Sequence, residues 1–144
     1  MINKKLIGRA INVLFALMLV VAGVKTAKTY ASNWEDSAYC YLFEFGTIRE
    51  TDTREKMDDS YVYMVCEQCD GNDFGYMAYA YGSLNWDKSG GQCYSNGYVF
   101  NLGTVHYMLN YIYENGRGYA YIRANPLDSG DAACFRGLWS PDSI

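Results

Sequence analysis

Tyr39 to Phe45 reads YCYLFEF, and its side chains alternate without a break. Tyr39, Tyr41, Phe43 and Phe45 fall on one side, Cys40, Leu42 and Glu44 on the other. A period of two belongs to an extended strand, whose successive Cβ atoms point to opposite faces. This stretch is therefore a strand with one aromatic face. The same texture recurs in Tyr61–Cys66 (YVYMVC), Tyr76–Tyr81 (YMAYAY), Tyr98–Leu102 (YVFNL), Tyr119–Arg123 (YAYIR) and Cys134–Trp139 (CFRGLW). Each run is short, rich in β-branched or aromatic residues, and bounded by turn formers. Between them, Gly46–Ser60 holds eight charged residues and reads as a solvated connection, and Asn85–Gly97 has loop chemistry throughout.

Val105–Tyr113 fits two periods. Val105, Met108, Leu109 and Ile112 have helical spacing, with Thr104 placed as an N-cap. Tyr107, Leu109, Tyr111 and Tyr113 also alternate, and Asn115-Gly116 leads into the next alternating run. Asn-Gly between such runs is a strong hairpin signal, so a hairpin is predicted. The expected fold is all-β, a small antiparallel sandwich or barrel of six to seven strands.

The chain has 144 residues, a length for one domain, and 15 of them are Tyr. Its amino terminus has the layout of a secretory signal peptide. Lys4, Lys5 and Arg9 precede an apolar stretch from Ala10 to Val24, then a polar region ends at Ala31. Thr29 and Ala31 are the small residues a signal peptidase requires, so cleavage is expected before Ser32. The 15-residue apolar stretch falls short of the ~20 residues that span a bilayer. Residues 1–31 are thus read as the signal, 32–144 as one secreted β-domain with no stable membrane span. Cleavage removes five of the 12 basic residues and no acid, leaving seven against 16 and a net charge of −9. Such a domain repels phosphate backbones and is not expected to bind nucleic acid.

Five cysteines follow: Cys40, Cys66, Cys69, Cys93 and Cys134. In an exported chain disulfides are the default, and an odd count leaves at least one thiol over. Cys66-x-x-Cys69 lacks the second pair of a zinc ribbon and the βαβ setting of a thioredoxin site. It is read as a tight turn whose thiols bridge elsewhere. With Cys40 on the first strand and Cys134 on the last, neighbouring strands would allow a Cys40–Cys134 bridge. Cys93 would then join Cys66 or Cys69.

Catalytic constellations are sparse. His106 is the single histidine and has no Gly-x-Ser-x-Gly elbow to serve, so a structural or surface role is expected. No two carboxylates stand out as a glycosidase pair. Calcium is the cofactor that the oxygen clusters Asp70, Asn72, Asp73 and Asn85, Asp87, Ser89 would suit, although neither follows a known loop pattern. Tyrosine is the residue type most in excess. Its flat apolar ring and single hydroxyl suit stacking on sugars or gripping a protein surface. Tyr39, Tyr41, Tyr79, Tyr81, Tyr111 and Tyr113 are the expected binding residues, with an extracellular protein or a cell-surface glycan as partner.

Asn110–Tyr121 (NYIYENGRGYAY) and the terminal Gly137–Ile144 (GLWSPDSI) resemble a family of short, uncharacterised secreted proteins of Gram-positive bacteria. The resemblance implies association with bacteriocins, and so a part in antagonism between bacteria, as toxin or accessory factor. It carries no catalytic residue. The expected function is a secreted, tyrosine-rich domain that acts by binding. The alternative is a small secreted hydrolase of cell-wall or polysaccharide substrate, which would need two acids or His106 converging in a cleft.

Overall fold

A computed structural model describes residues 33–143; the signal-peptide region and its cleavage site lie outside them. Ten strands form two antiparallel sheets. They are β1 (Ser37–Phe43), β2 (Arg49–Glu50), β3 (Arg54–Glu55), β4 (Val62–Gly71), β5 (Tyr76–Ser83), β6 (Gln92–Cys93), β7 (Tyr98–Phe100), β8 (Val105–Met108), β9 (Tyr119–Pro126) and β10 (Ala133–Ser140). One sheet has the order β1-β10-β4-β8; the other is built on β9 and β5, with β2 and β3 along β9, and β6 and β7 along β5. The fold is all-β, as the alternation predicts, and the sheets do not close into a barrel.

The period of two sorts each strand between core and solvent. On β1, Tyr39, Tyr41 and Phe43 are buried while Ala38, Cys40 and Leu42 are exposed. The aromatic side chains of β1 and β10 meet a different surface on the facing sheet, where β5 and β9 turn in Ala78, Ala80, Ala120 and Ala124. Large side chains against small ones let two sheets interlock at native density. Tyr76 is the exception that ties the layers. Its ring stands 5.6 Å from Tyr41, 5.7 Å from Phe43 and 5.2 Å from Phe135, and stacks on Phe100 at 5.3 Å. Its hydroxyl lies 2.6 Å from that of Tyr39, whose own proton goes to the Val65 carbonyl at 3.0 Å. Tyr76 is therefore the donor to Tyr39.

Three expectations are corrected. The predicted hairpin does not form: β8 pairs with β4, whereas β9 lies in the other sheet beside β5. Buried Asn110 and Ile112 anchor the crossing, and the chain turns on itself through Asn115 N–H to Tyr111 C=O and Arg117 N–H to Ile112 C=O. Asn-Gly here closes a compact loop between sheets, not a two-residue hairpin. The charged connection is partly built in, because it contributes β2 and β3 and buries Thr51 and Lys56. Cys66-x-x-Cys69 is no turn; it runs within β4, where β10 shifts register between Arg136 and Gly137. Gly137 is required there, since a Cβ would overlap the Val65 carbonyl.

Candidate functional site

The outer face of the four-stranded sheet is open to solvent. At one end it carries an aromatic cleft of about 280 Å³ lined by Trp34, Asp36, Tyr63, Tyr107, Ser140 and Ser143. Strand register assembles it. Tyr63 of β4 faces Tyr107 of β8 on one side and Ser140 of β10 on the other, and paired residues in an antiparallel sheet share a face. The two tyrosine rings lie 5.3 Å apart and tilted by 49°. Tyr107 is 57% and Trp34 55% exposed, so the aromatic surface is presented rather than packed away. Burial pushes the Tyr63 hydroxyl above its usual range, and Asp36 and Tyr107 add to the effect.

A buried knot holds the walls. Asp142, with no solvent exposure, accepts from Lys56 Nζ at 2.8 Å and from the backbone N–H groups of Asn33 and Met57 at 3.0 Å each. Ser143 N–H donates to Ser60 Oγ at 3.0 Å. Arg54 donates to Asn33 Oδ1 at 2.6 Å and to the Glu35 carbonyl, either side of Trp34. Charge-assisted bonds thus hold the backbone on both sides of Trp34, and a neutral one holds Ser143 next to Asp142.

Further along the same face, Cys40 and Cys134 bring their sulfurs to 3.2 Å, unbonded. A cleft of about 390 Å³ opens beside Cys40 and includes Glu67, Arg136 and Leu138. A third, of about 400 Å³, lies at the rim of the molecule between Cys93, Tyr94, Asn96, Leu109, Tyr111 and Asn115.

The six tyrosines expected to bind do not share a face. Tyr39 and Tyr41 are 6% and 1% exposed and belong to the core, although Tyr39 also touches the floor of the second cleft. Tyr79 and Tyr81 are half-buried on the outside of the other sheet, where the Arg123 guanidinium lies 4.3 Å from the Tyr81 ring and Gly97 packs close against Tyr79. Tyr111 and Tyr113 are exposed on the 110–116 loop, and only Tyr111 reaches a cleft. The aromatics that line the first cleft, Trp34, Tyr63 and Tyr107, are not among the six. Tyr63 could have been found, because it stands opposite Val62 and Met64 in the alternation of its strand.

The remaining candidates have internal partners. The His106 ring packs perpendicular to Phe100 (4.9 Å, 90°), with Nε2 at 3.0 Å from the Val99 carbonyl. Of the three clefts, the first holds Asp36, the second Glu67 and the third no acid. Asp70 pairs with Arg136 at 2.7 Å, Asn72 donates to Asp131, and Asp73 accepts from Asn101 and from the Leu102 N–H. Asp87 accepts from Ser89 N–H, and Asn85 donates to Ser89 Oγ. Among the described residues no group of three or more His, Cys, Asp or Glu could hold a metal ion. Cys66 is buried in the core on β4 and Cys93 is exposed on β6 of the other sheet, and no two cysteines lie at bonding distance among the described residues, so the expected bridge from Cys93 to Cys66 or Cys69 is absent.

A family model described as Protein of unknown function (DUF2712) matches residues 27–143. The chain belongs to this family. No curated protein and no solved structure matches the DUF2712 chain.

Proposed function

We propose that this DUF2712 protein is an extracellular binding domain that takes a neutral cell-surface glycan at the Trp34–Tyr63–Tyr107 cleft. One observation carries the reading: three aromatic rings converge on an open sheet face beside one carboxylate and two serines. Sugar rings present apolar C–H faces that stack on such side chains, while Asp36 and the serine hydroxyls can bond the sugar hydroxyls. The acidic balance of the chain, net −4, disfavours strongly anionic polymers. At about 280 Å³ the cleft suits one or two sugar units of a longer chain.

The extracellular setting rests on the signal-peptide layout of residues 1–31. Sequencing of the secreted product is expected to start at Ser32; a start before Lys28, or a membrane-retained chain, overturns it. Sedimentation with insoluble cell-wall glycan tests the binding. Trp34→Ala and Tyr107→Ala should each weaken it at least about fivefold, since an aromatic contact contributes ~1 kcal/mol beyond its buried area. Equal binding by wild type and both variants, or none across a panel of neutral glycans, sinks the glycan reading. A part in antagonism between bacteria rests on the resemblance carried by Asn110–Tyr121 and Gly137–Ile144. Zones of inhibition around purified protein test that part, and their absence on every related strain removes it.

A further inference from the structure

Cys40 and Cys134 sit on adjacent antiparallel strands, offset by two residues, because Cys40 stands opposite Arg136 and Leu42 opposite Cys134. Both side chains are on the solvent face, and their sulfurs lie 3.2 Å apart. A disulfide requires about 2.05 Å, so closing the bond takes a shift of roughly 1 Å shared between two side chains. Cys40 is exposed and opens on the cleft of about 390 Å³, wide enough to admit an external thiol compound. Cys134 is half-buried behind it. The Arg136 side chain, paired with Asp70 at 2.7 Å, stands directly across from Cys40 and lines the same cleft.

We infer that Cys40 and Cys134 are a thiol–disulfide exchange site, oxidised by a small external disulfide to a bridge between β1 and β10. Cys40, the reachable thiol, loses its proton and attacks one sulfur of the external disulfide. That S–S bond breaks, one thiol leaves, and a mixed disulfide forms on Cys40. The Cys134 thiolate then attacks the Cys40 sulfur and expels the second thiol. Two electrons pass from the protein sulfurs to the external disulfide, and the two protons end on the released thiols. Burial, with the contact to Cys40, raises the Cys134 thiol, which disfavours it as the first attacker; its closeness to Cys40 serves the second, intramolecular step. Cys93 lies on the other sheet and takes no part.

The experiment treats purified Cys93→Ser protein with glutathione disulfide, quenches with an alkylating agent and maps the peptides. Expected is a Cys40–Cys134 link, with a melting temperature roughly 15–20 °C above that of the dithiothreitol-reduced protein. Adding Cys134→Ser should leave one glutathione trapped on Cys40, because the resolving thiol is gone. A Cys66–Cys69 link in place of the expected one, or full alkylation of Cys40 and Cys134 after treatment, overturns the inference. So does a Cys134→Ser protein that carries no glutathione on Cys40.

Discussion

Two tyrosines on one face of β1 are built on the same ring and differ only in what their hydroxyls find. Tyr39 donates to the Val65 carbonyl and receives from Tyr76, and burial pushes its hydroxyl well above the ordinary range. Tyr41, fully buried, has a hydroxyl with no hydrogen-bond partner. A buried polar group left unpaired costs about 1–3 kcal/mol, whereas removing a group that was never paired costs nothing of that kind. Tyr41→Phe is therefore expected to be neutral or to stabilise by up to ~1 kcal/mol. Tyr39→Phe orphans both the carbonyl and the Tyr76 hydroxyl and should destabilise by about 1–3 kcal/mol. Denaturant melts of the two variants decide it, and equal losses would mean the hydroxyl network is not what separates them. This pair also shows how far a single residue was legible. Alternation placed Tyr39 and Tyr41 on one face correctly, but a period of two does not say whether that face meets water or a second sheet. Only the alanines of β5 and β9, far off in the chain, answer that.

Short elements fasten the long ones. β2 is two residues, yet its Glu50 accepts from Arg123 of β9 at 2.7 Å and from Lys88 of the 84–91 loop at 3.0 Å. Burial alone would raise the Glu50 carboxyl, but the bonds from Lys88 and Arg123 outweigh it and hold the group below its usual value. A carboxyl lowered in the folded state stabilises above its unfolded pKa, and that contribution is lost as pH falls through the folded value. Unfolding followed from neutral to acid pH should thus show a limb below the ordinary carboxyl range that Glu50→Gln flattens. An unchanged limb would assign the acid sensitivity to other carboxylates. The Lys56–Asp142 knot behaves differently, being fully buried. Lys56→Met leaves the Asp142 charge without its cation and should destabilise by about 3–5 kcal/mol, read by thermal melting. Neither device was legible in the chain, because charges spread over Gly46–Ser60 look alike until long-range partners choose among them. Val105–Tyr113 hid for a related reason: its alternation of exposed and buried residues runs through to Tyr113, but its pairing with β4 ends at Met108, and buried Asn110 and Ile112 then lead the chain between sheets.

Across the whole molecule, the first and last long strands are neighbours, so β1 completes its pairing only when β10 is in place. A bridge between Cys40 and Cys134, 94 residues apart, would close a loop long enough to stabilise by about 4–5 kcal/mol on the chain-entropy view. The class of fold could be read from local alternation, and Cys40 and Cys134 could be placed on the first and last strands of the chain. The cleft could not, because Trp34, Tyr63, Tyr107 and Ser143 come from four separate stretches that only the order β1-β10-β4-β8 gathers. The Asp142 knot has one more consequence. By bonding the Asn33 N–H at 3.0 Å it places the two ends of the described fold against each other. The order in which the strands follow along the chain is then a matter of connectivity, not of architecture. A circular permutant that joins residue 143 to residue 33 through a short Gly/Ser linker and opens between Asp128 and Gly130, both exposed, keeps every pairing of both sheets. It should fold to the same β signature in circular dichroism and melt within a few degrees of the parent; failure to fold would show that β1 must emerge first for β10 to find its place.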